Sequence, residues 1–422
     1  MKYTRKVLKN GLRIITIPMK DNPTATVLVL VEAGSKYENK ENNGISHFLE
    51  HMCFKGTTNR PTAMDISKEL DGIGSHYNAF TSQEHTGYYA KADYKNLDKI
   101  LDVVSDMYLN PIFSESEIEK EKGVIIEEIN MYLDLPKAVA QDEFLKLLYG
   151  DHPAGWNIAG PKENIKGMER SDFIDYRNKH YVASATTVVV AGKINEKEVF
   201  KKVTKLFKDI GKWKKEGKEK VVESQKEPQA VVFYKDTDQT HLIIGTRSYD
   251  TYNKYNSIIR LIIAILSGGL SSRLFEKMRN EMGICYYVYA DNDTFTDHGV
   301  FSVSAGVDSN RVKEGIVAIL TELKKLKTEL VGKDELNKVK QFLIGNLNLG
   351  LESSDSLASF YGYQEIMRKV LKKPEDIIKE IKAVTSEEIK FVAERIFKEE
   401  LLNLSIVGKF KDKEEFLDVL KF

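Results

Sequence analysis

Residues 117–130, EIEKEKGVIIEEIN, lie without a gap over residues 335–348, ELNKVKQFLIGNLN, at an offset of 218. Further along, TTVVVAGKI (186–194) lies over LNLSIVGKF (402–410) at an offset of 216. The order of elements recurs as well as the local pattern, since each match is preceded by strand and helix signals. Two matches at nearly one offset predict a duplicated chain. The expected fold class is α+β, with two similar domains, each a mainly antiparallel sheet covered by helices.

The first half reads in detail. LRIITIPM (12–19) and TATVLVLVEAG (24–34) are β-branched runs bounded by turn residues, and SHYNAFTSQEHTGYYAKA (75–92) has strand composition. Helical periodicity follows in NLDKILDVVSDMYL (96–109) and SESEIEKEKGVIIEEINMYL (114–133). Residues 211–228, GKWKKEGKEKVVESQKEP, are rich in Lys and Glu with little apolar periodicity, which suits an exposed linker. The domains are therefore placed at 1–215 and 216–422. A chain of 422 residues is longer than one hydrophobic core usually supports.

Composition narrows the function. Lys plus Arg and Asp plus Glu both number 63, so no net field favours nucleic acid or an anionic membrane. No apolar stretch reaches the roughly 18 residues of a membrane span. The opening MKYTRKVLKNGLRIITIPMKDN lacks the apolar core and cleavage site of a secretory signal. Cys53 and Cys285 are too few for a disulfide scaffold and read as reduced, buried thiols. These features predict a cytoplasmic protein.

The segment GISHFLEHMCFKGT (44–57) carries the chemistry. On a helix, positions i, i+3 and i+4 share a face, which brings His47, Glu50 and His51 together. Imidazoles at i and i+4 reach one metal ion, and zinc suits two imidazoles plus a carboxylate with one open position. Glu50 beside them is placed to take a proton from water activated at the metal. The third ligand is sought at Glu127 and Glu128, two charges that close the apolar GVII run. The second copy supplies a control. It has Gly345 and Asn346 at those positions, Val339 opposite Glu121, and no H-x-x-E-H anywhere. Carboxylates and histidines are present together in one half and absent together in the other.

These motifs closely resemble the pitrilysin-like zinc peptidases, the inverzincins, whose signature is H-x-x-E-H. The resemblance spans nearly the whole chain and is to half-length bacterial members related to mitochondrial processing peptidase. It implies one Zn²⁺ per chain held by His47, His51 and Glu128, with Glu50 as general base. Glu127 points about 100° around the helix from Glu128. Glu121, seven residues before Glu128, matches the family's supporting acid. NAFTSQEHTGYY (78–89) resembles the family's substrate strand, implying that a peptide adds as a further strand at Asn78, Ala79 and Phe80. In SSRLFEKMRNEMGICYYVYA (271–290), Arg279 and Tyr286 match a pair that contacts substrate and stabilises the tetrahedral oxyanion. LSGGLSSRLF (266–275) reads as a glycine turn into a helix and has no phosphate-loop spacing. The implied activity is that of a zinc metalloendopeptidase acting on peptides or unfolded polypeptides. Longer relatives enclose a chamber with four such domains, so this chain is expected to close its chamber as a homodimer.

Overall fold

The β-branched runs of the first half form strands of one sheet in the computed structural model, which describes residues 2–422. Its strands are Thr4–Val7 (β1), Arg13–Pro18 (β2), Thr24–Val31 (β3), His76–Thr81 (β4), Thr86–Asp93 (β5) and Thr186–Gly192 (β6). They run in the order β1-β2-β6-β3-β5-β4, all antiparallel except β2 beside β6. β3 and β6 are apolar along nearly their whole length because both faces of the sheet are covered. Helix Leu97–Leu109 packs on one face and helix Ser354–Arg368 on the other.

The second sheet comprises Gln229–Tyr234 (β7), Gln239–Ser248 (β8), Cys285–Thr294 (β9), Gly299–Asp308 (β10) and Asn403–Gly408 (β11). Its order is β7-β11-β8-β10-β9, again with one parallel pair, β7 beside β11. Read strand for strand, this is the β2-β6-β3-β5-β4 order of the first sheet. The duplication expected from two sequence matches is therefore a duplication of topology, and the α+β class with mainly antiparallel sheets is what the chain adopts. β4 and β9 are equivalent edge strands, and β1 is an addition to the first copy.

Each sheet is covered on one face by a helix from the other half of the sequence. The chain divides into two compact units, Met1–Asn130 with Trp156–Glu219 and Leu349–Leu371, and Met131–Gly155 with Lys220–Asn348 and Lys372–Phe422. Helix Pro136–Tyr149 thus belongs to the second unit, where Val139, Ala140, Phe144 and Leu148 are buried with Ile243, Val300 and Val407. Helix Ser354–Arg368, its equivalent at an offset of 218, belongs to the first. There the Ser354 hydroxyl lies 2.9 and 2.8 Å from those of Thr24 and Thr26, and Glu365 accepts two hydrogen bonds from Arg5 at 2.7 and 2.8 Å. A Cβ on Gly362 would come within 2.7 Å of Leu30, so glycine lets this helix lie close on the sheet. The predicted boundary at 215/216 falls near the Glu219/Lys220 transition, but the two exchanged helices cross it in opposite directions.

The segment 211–228 has no helix or strand, as its composition predicts, yet it is not wholly free. Lys215 ion-pairs with Glu32 and Lys218 with Glu84, and the Trp213 indole donates to the Asn178 carbonyl at 2.6 Å. Cys53 and Cys285 are both unpaired and buried. Among the described residues no helix is long and apolar enough to cross a membrane.

Candidate metal centre

GISHFLEHM folds as helix Ile45–Met52 because its apolar residues lie on one side and Glu38, from the preceding loop, accepts from the amides at its start. Phe48, Leu49 and Met52 are buried, with Phe48 edge-on to Phe173 at 4.8 Å. Gly44 precedes the helix at φ +103°, and a Cβ there would meet the Ala159 carbonyl oxygen at 2.5 Å. The Glu38 carboxylate accepts from the Gly44 and Ser46 amides and from Asn43 Nδ2, each at 2.8 Å. It satisfies amides that a helix start leaves open. The helix is thereby held by its buried side, and His47, Glu50 and His51 are only partly covered.

Helix Glu115–Asp134 brings the acids. Ile118 and Ile125 are buried, and Glu121 and Glu128 lie along the same side. Glu128 Oε2 stands 3.7 Å from His47 Nε2 and 3.6 Å from His51 Nε2. One donor atom from each of His47, His51 and Glu128 falls within 4.8 Å of the others, the one such group found among the described residues. Glu127 is exposed and accepts weakly from Asn130 at 3.4 Å. The structure thus brings Glu128, rather than Glu127, to the imidazoles.

These donors fit a zinc ion. Tetrahedral bonds of about 2.0–2.1 Å space ligands roughly 3.4 Å apart, close to the separations observed. Burial, with His51 alongside, holds the His47 imidazole down to about 4, in the neutral form a metal requires. His51 Nδ1 is 2.8 Å from Glu121 Oε1, so the ring donates there and its Nε2 lone pair faces Glu128. Glu121 is buried, which by itself would raise its pKa. The His51 ring and the Lys55 ammonium, the latter at 2.5 Å, nevertheless hold it below its ordinary value.

Glu50 faces the same side of the helix without being one of the three converging donors. Burial pushes its carboxyl up, and the Thr81 hydroxyl donates to its Oε2 at 2.5 Å. Thr81 ends β4, the outer strand of its sheet, so Asn78, Ala79 and Phe80 lie on an open edge. Strand alternation puts Ala79 on Thr81's side and Phe80 on the other, where its ring covers Gly87. Phe80 can therefore meet a paired peptide at this edge through its backbone.

Arg279 and Tyr286 belong to the second unit. Arg279 sits on a π-helical turn, Phe275–Glu281, and Tyr286 near the start of β9. The guanidinium donates to the Tyr286 carbonyl and lies 5.2 Å from its ring centre. Tyr286 is 69% exposed, so both are available at the surface of that unit. Elsewhere, a cavity of about 770 Å³ beside Tyr37, Glu41 and His180 contains none of the three donors.

Sequence reasoning missed Lys55 and Thr81. Lys55 had a signal, since it is a cation four residues after His51, in the turn that follows helix Ile45–Met52. Replacing Lys55 with Met removes the cation that anchors Glu121 and is expected to weaken zinc binding by about tenfold. Competition against a fluorescent chelator measures the change, and unchanged affinity would remove Lys55 from the centre.

Two imidazoles and one carboxylate about one point, with a further acid beside them, form the donor set of an open zinc centre. Comparison with known proteins gives the family. The model for "Insulinase (Peptidase family M16)" matches residues 13–162, and that for "Peptidase M16 inactive domain" matches residues 167–343. A Bacillus subtilis protein named an uncharacterized zinc protease is 34% identical over 400 residues, covering 94% of this chain and 96% of its own. One from Rickettsia felis, named likewise, is 34% identical over 392 residues, covering 92% and 94%. The fold matches the crystal structure of a protease from Helicobacter pylori with a TM-score of 0.89 at 24% identity, covering 96% of this chain and 99% of that one. A peptidase M16 inactive domain from Pseudomonas fluorescens matches with a TM-score of 0.90 at 16% identity, covering 97% and 99%. The chain belongs to peptidase family M16.

Proposed function

We propose that this chain is a zinc-dependent endopeptidase that hydrolyses peptides or unfolded polypeptides inside a chamber formed by two copies of itself in the cytoplasm. The observation that carries the reading is the convergence of His47, His51 and Glu128 beside Glu50. The relatives named zinc proteases support it, and they match over nearly the full length. His47, His51 and Glu128 would hold the zinc ion, which when bound would supply Lewis-acid polarisation of the scissile carbonyl and a water of pKa about 7. Glu50 accepts the proton of the attacking water and passes it to the leaving amine. Its burial suits the task, because a raised pKa brings base and acid forms closer to neutral pH. Glu121 and Lys55 keep His51 in the tautomer that presents Nε2. The open edge of β4 pairs with the peptide backbone at Asn78–Phe80, giving affinity with weak demands on sequence. Arg279 and Tyr286, supplied by the partner copy, donate to the developing oxyanion.

Chelation tests the reading. The purified protein is expected to hold one zinc per chain and to cleave a quenched fluorescent peptide. Dialysis against 1,10-phenanthroline abolishes cleavage, and added Zn²⁺ restores it. Undiminished cleavage by metal-free protein, or a zinc-loaded protein that cleaves no unstructured peptide, would overturn it.

A further inference from the structure

We propose that Thr81 is a positioning residue, whose hydroxyl fixes the Glu50 carboxylate and so places the orientation of the base under the control of the edge strand β4. The inference rests on the peptidase reading above and adds to it a residue that acts through Glu50. A glutamate side chain turns about three bonds, and a base must be held to within about 0.5 Å of its working position. Among the described residues, Thr81 is the one hydrogen-bond donor to the Glu50 side chain, at 2.5 Å. A threonine serves this task well, because its branched Cβ restricts χ1 and points the hydroxyl in a defined direction.

The mounting of Thr81 is rigid. It pairs with Thr86 at the closed end of the β4–β5 hairpin. In the turn that follows, Ser82 N donates to the His85 carbonyl at 2.9 Å, and Ser82 Oγ accepts from the Glu84 and His85 amides at 3.3 and 3.2 Å. The turn is tied to the preceding loop by Ser35 N to Ser82 O at 3.2 Å and Lys36 N to Gln83 O at 2.8 Å. Beneath it, Lys36 pairs with Glu84 at 3.2 Å, both side chains being almost fully buried. A turn so fixed transmits its position to Thr81, and Thr81 to Glu50. The residue that holds the base is thus one position from Phe80, on the strand proposed to receive the peptide. Seating the substrate and aligning the base then share a single element.

The test compares Thr81→Val, which keeps the shape and removes the hydroxyl, with Thr81→Ser, which keeps the hydroxyl. Thr81→Val is expected to lower kcat by about 10- to 100-fold, with KM within about twofold and zinc content unchanged. Thr81→Ser is expected to stay within about threefold of the parent. Adding Thr81→Val to Glu50→Gln is expected to cause no further loss, since the hydroxyl acts through that carboxylate. A parental kcat in Thr81→Val, equal losses in the two Thr81 variants, or loss of zinc from either would overturn the inference. If Glu50→Gln abolishes cleavage while Thr81→Val does not, this inference alone fails. If Glu50→Gln cleaves at the parental rate, Glu50 is not the base and this inference falls with that role. The peptidase reading itself fails only if the zinc-loaded parent cleaves no unstructured peptide or metal-free protein cleaves undiminished.

Discussion

Glu50→Gln is expected to bind zinc normally and to lose peptide hydrolysis by a factor on the order of 10³. The two properties separate because the three converging donors are His47, His51 and Glu128, and none of them changes. Glutamine has nearly the shape of glutamate and can still accept the Thr81 hydrogen bond through its amide oxygen. It cannot take a proton from water. The measurement pairs steady-state cleavage of a quenched fluorescent peptide with zinc analysis of the same sample. A variant with full zinc and a rate within about fivefold of the parent would show that another group is the base. Loss of zinc together with activity would instead make Glu50 part of the metal's support.

The second large effect concerns assembly. The metal donors lie in one compact unit, and Arg279 and Tyr286 in the other. If two copies complete each other's sites, Glu50→Gln and Arg279→Ala are each inactive alone but complement when mixed. After random exchange, half the dimers are mixed, and each holds one site with an intact Glu50 and an intact partner Arg279. The expected activity is therefore about a quarter of the parent. A site built within one chain predicts none, because every site in the mixture then carries a lesion. Recovery after mild dissociation and reassociation, followed by cleavage rate against mixing ratio, distinguishes the two. Absence of recovery under proven exchange would refute the arrangement in trans.

Much of the metal centre was legible before any coordinates. His47, Glu50 and His51 stand at i, i+3 and i+4, and on a helix that spacing alone puts them on one face. The second copy marked the acidic pair, since it carries Gly345 and Asn346 opposite Glu127 and Glu128, and the family resemblance pointed to Glu128 of the two. Glu121 follows from the same helix, two turns earlier, and its contact with His51 is as close as an ordinary hydrogen bond. Thr81 carried no such mark. Its neighbours in sequence announce a strand end, and its contact with Glu50 arises only when β4 lies beside helix Ile45–Met52. Lys55 lay between these cases, visible as a charge one turn beyond His51 but without a partner until helix Glu115–Asp134 arrives.

By itself the chain's order of residues determined the duplication, the strand and helix periods and the one-sided cluster of His47, Glu50 and His51. All of these follow from backbone geometry over a few residues, or from comparing the two halves position by position. Tertiary structure alone decided that Pro136–Tyr149 covers the second sheet and Ser354–Arg368 the first. The reason is physical: duplicated sheets present equivalent apolar faces, so the stripe on either helix does not say which sheet it will meet. Only close contacts such as Gly362 on Leu30 and Ser354 with Thr26 discriminate between them, and those contacts exist only in the folded molecule.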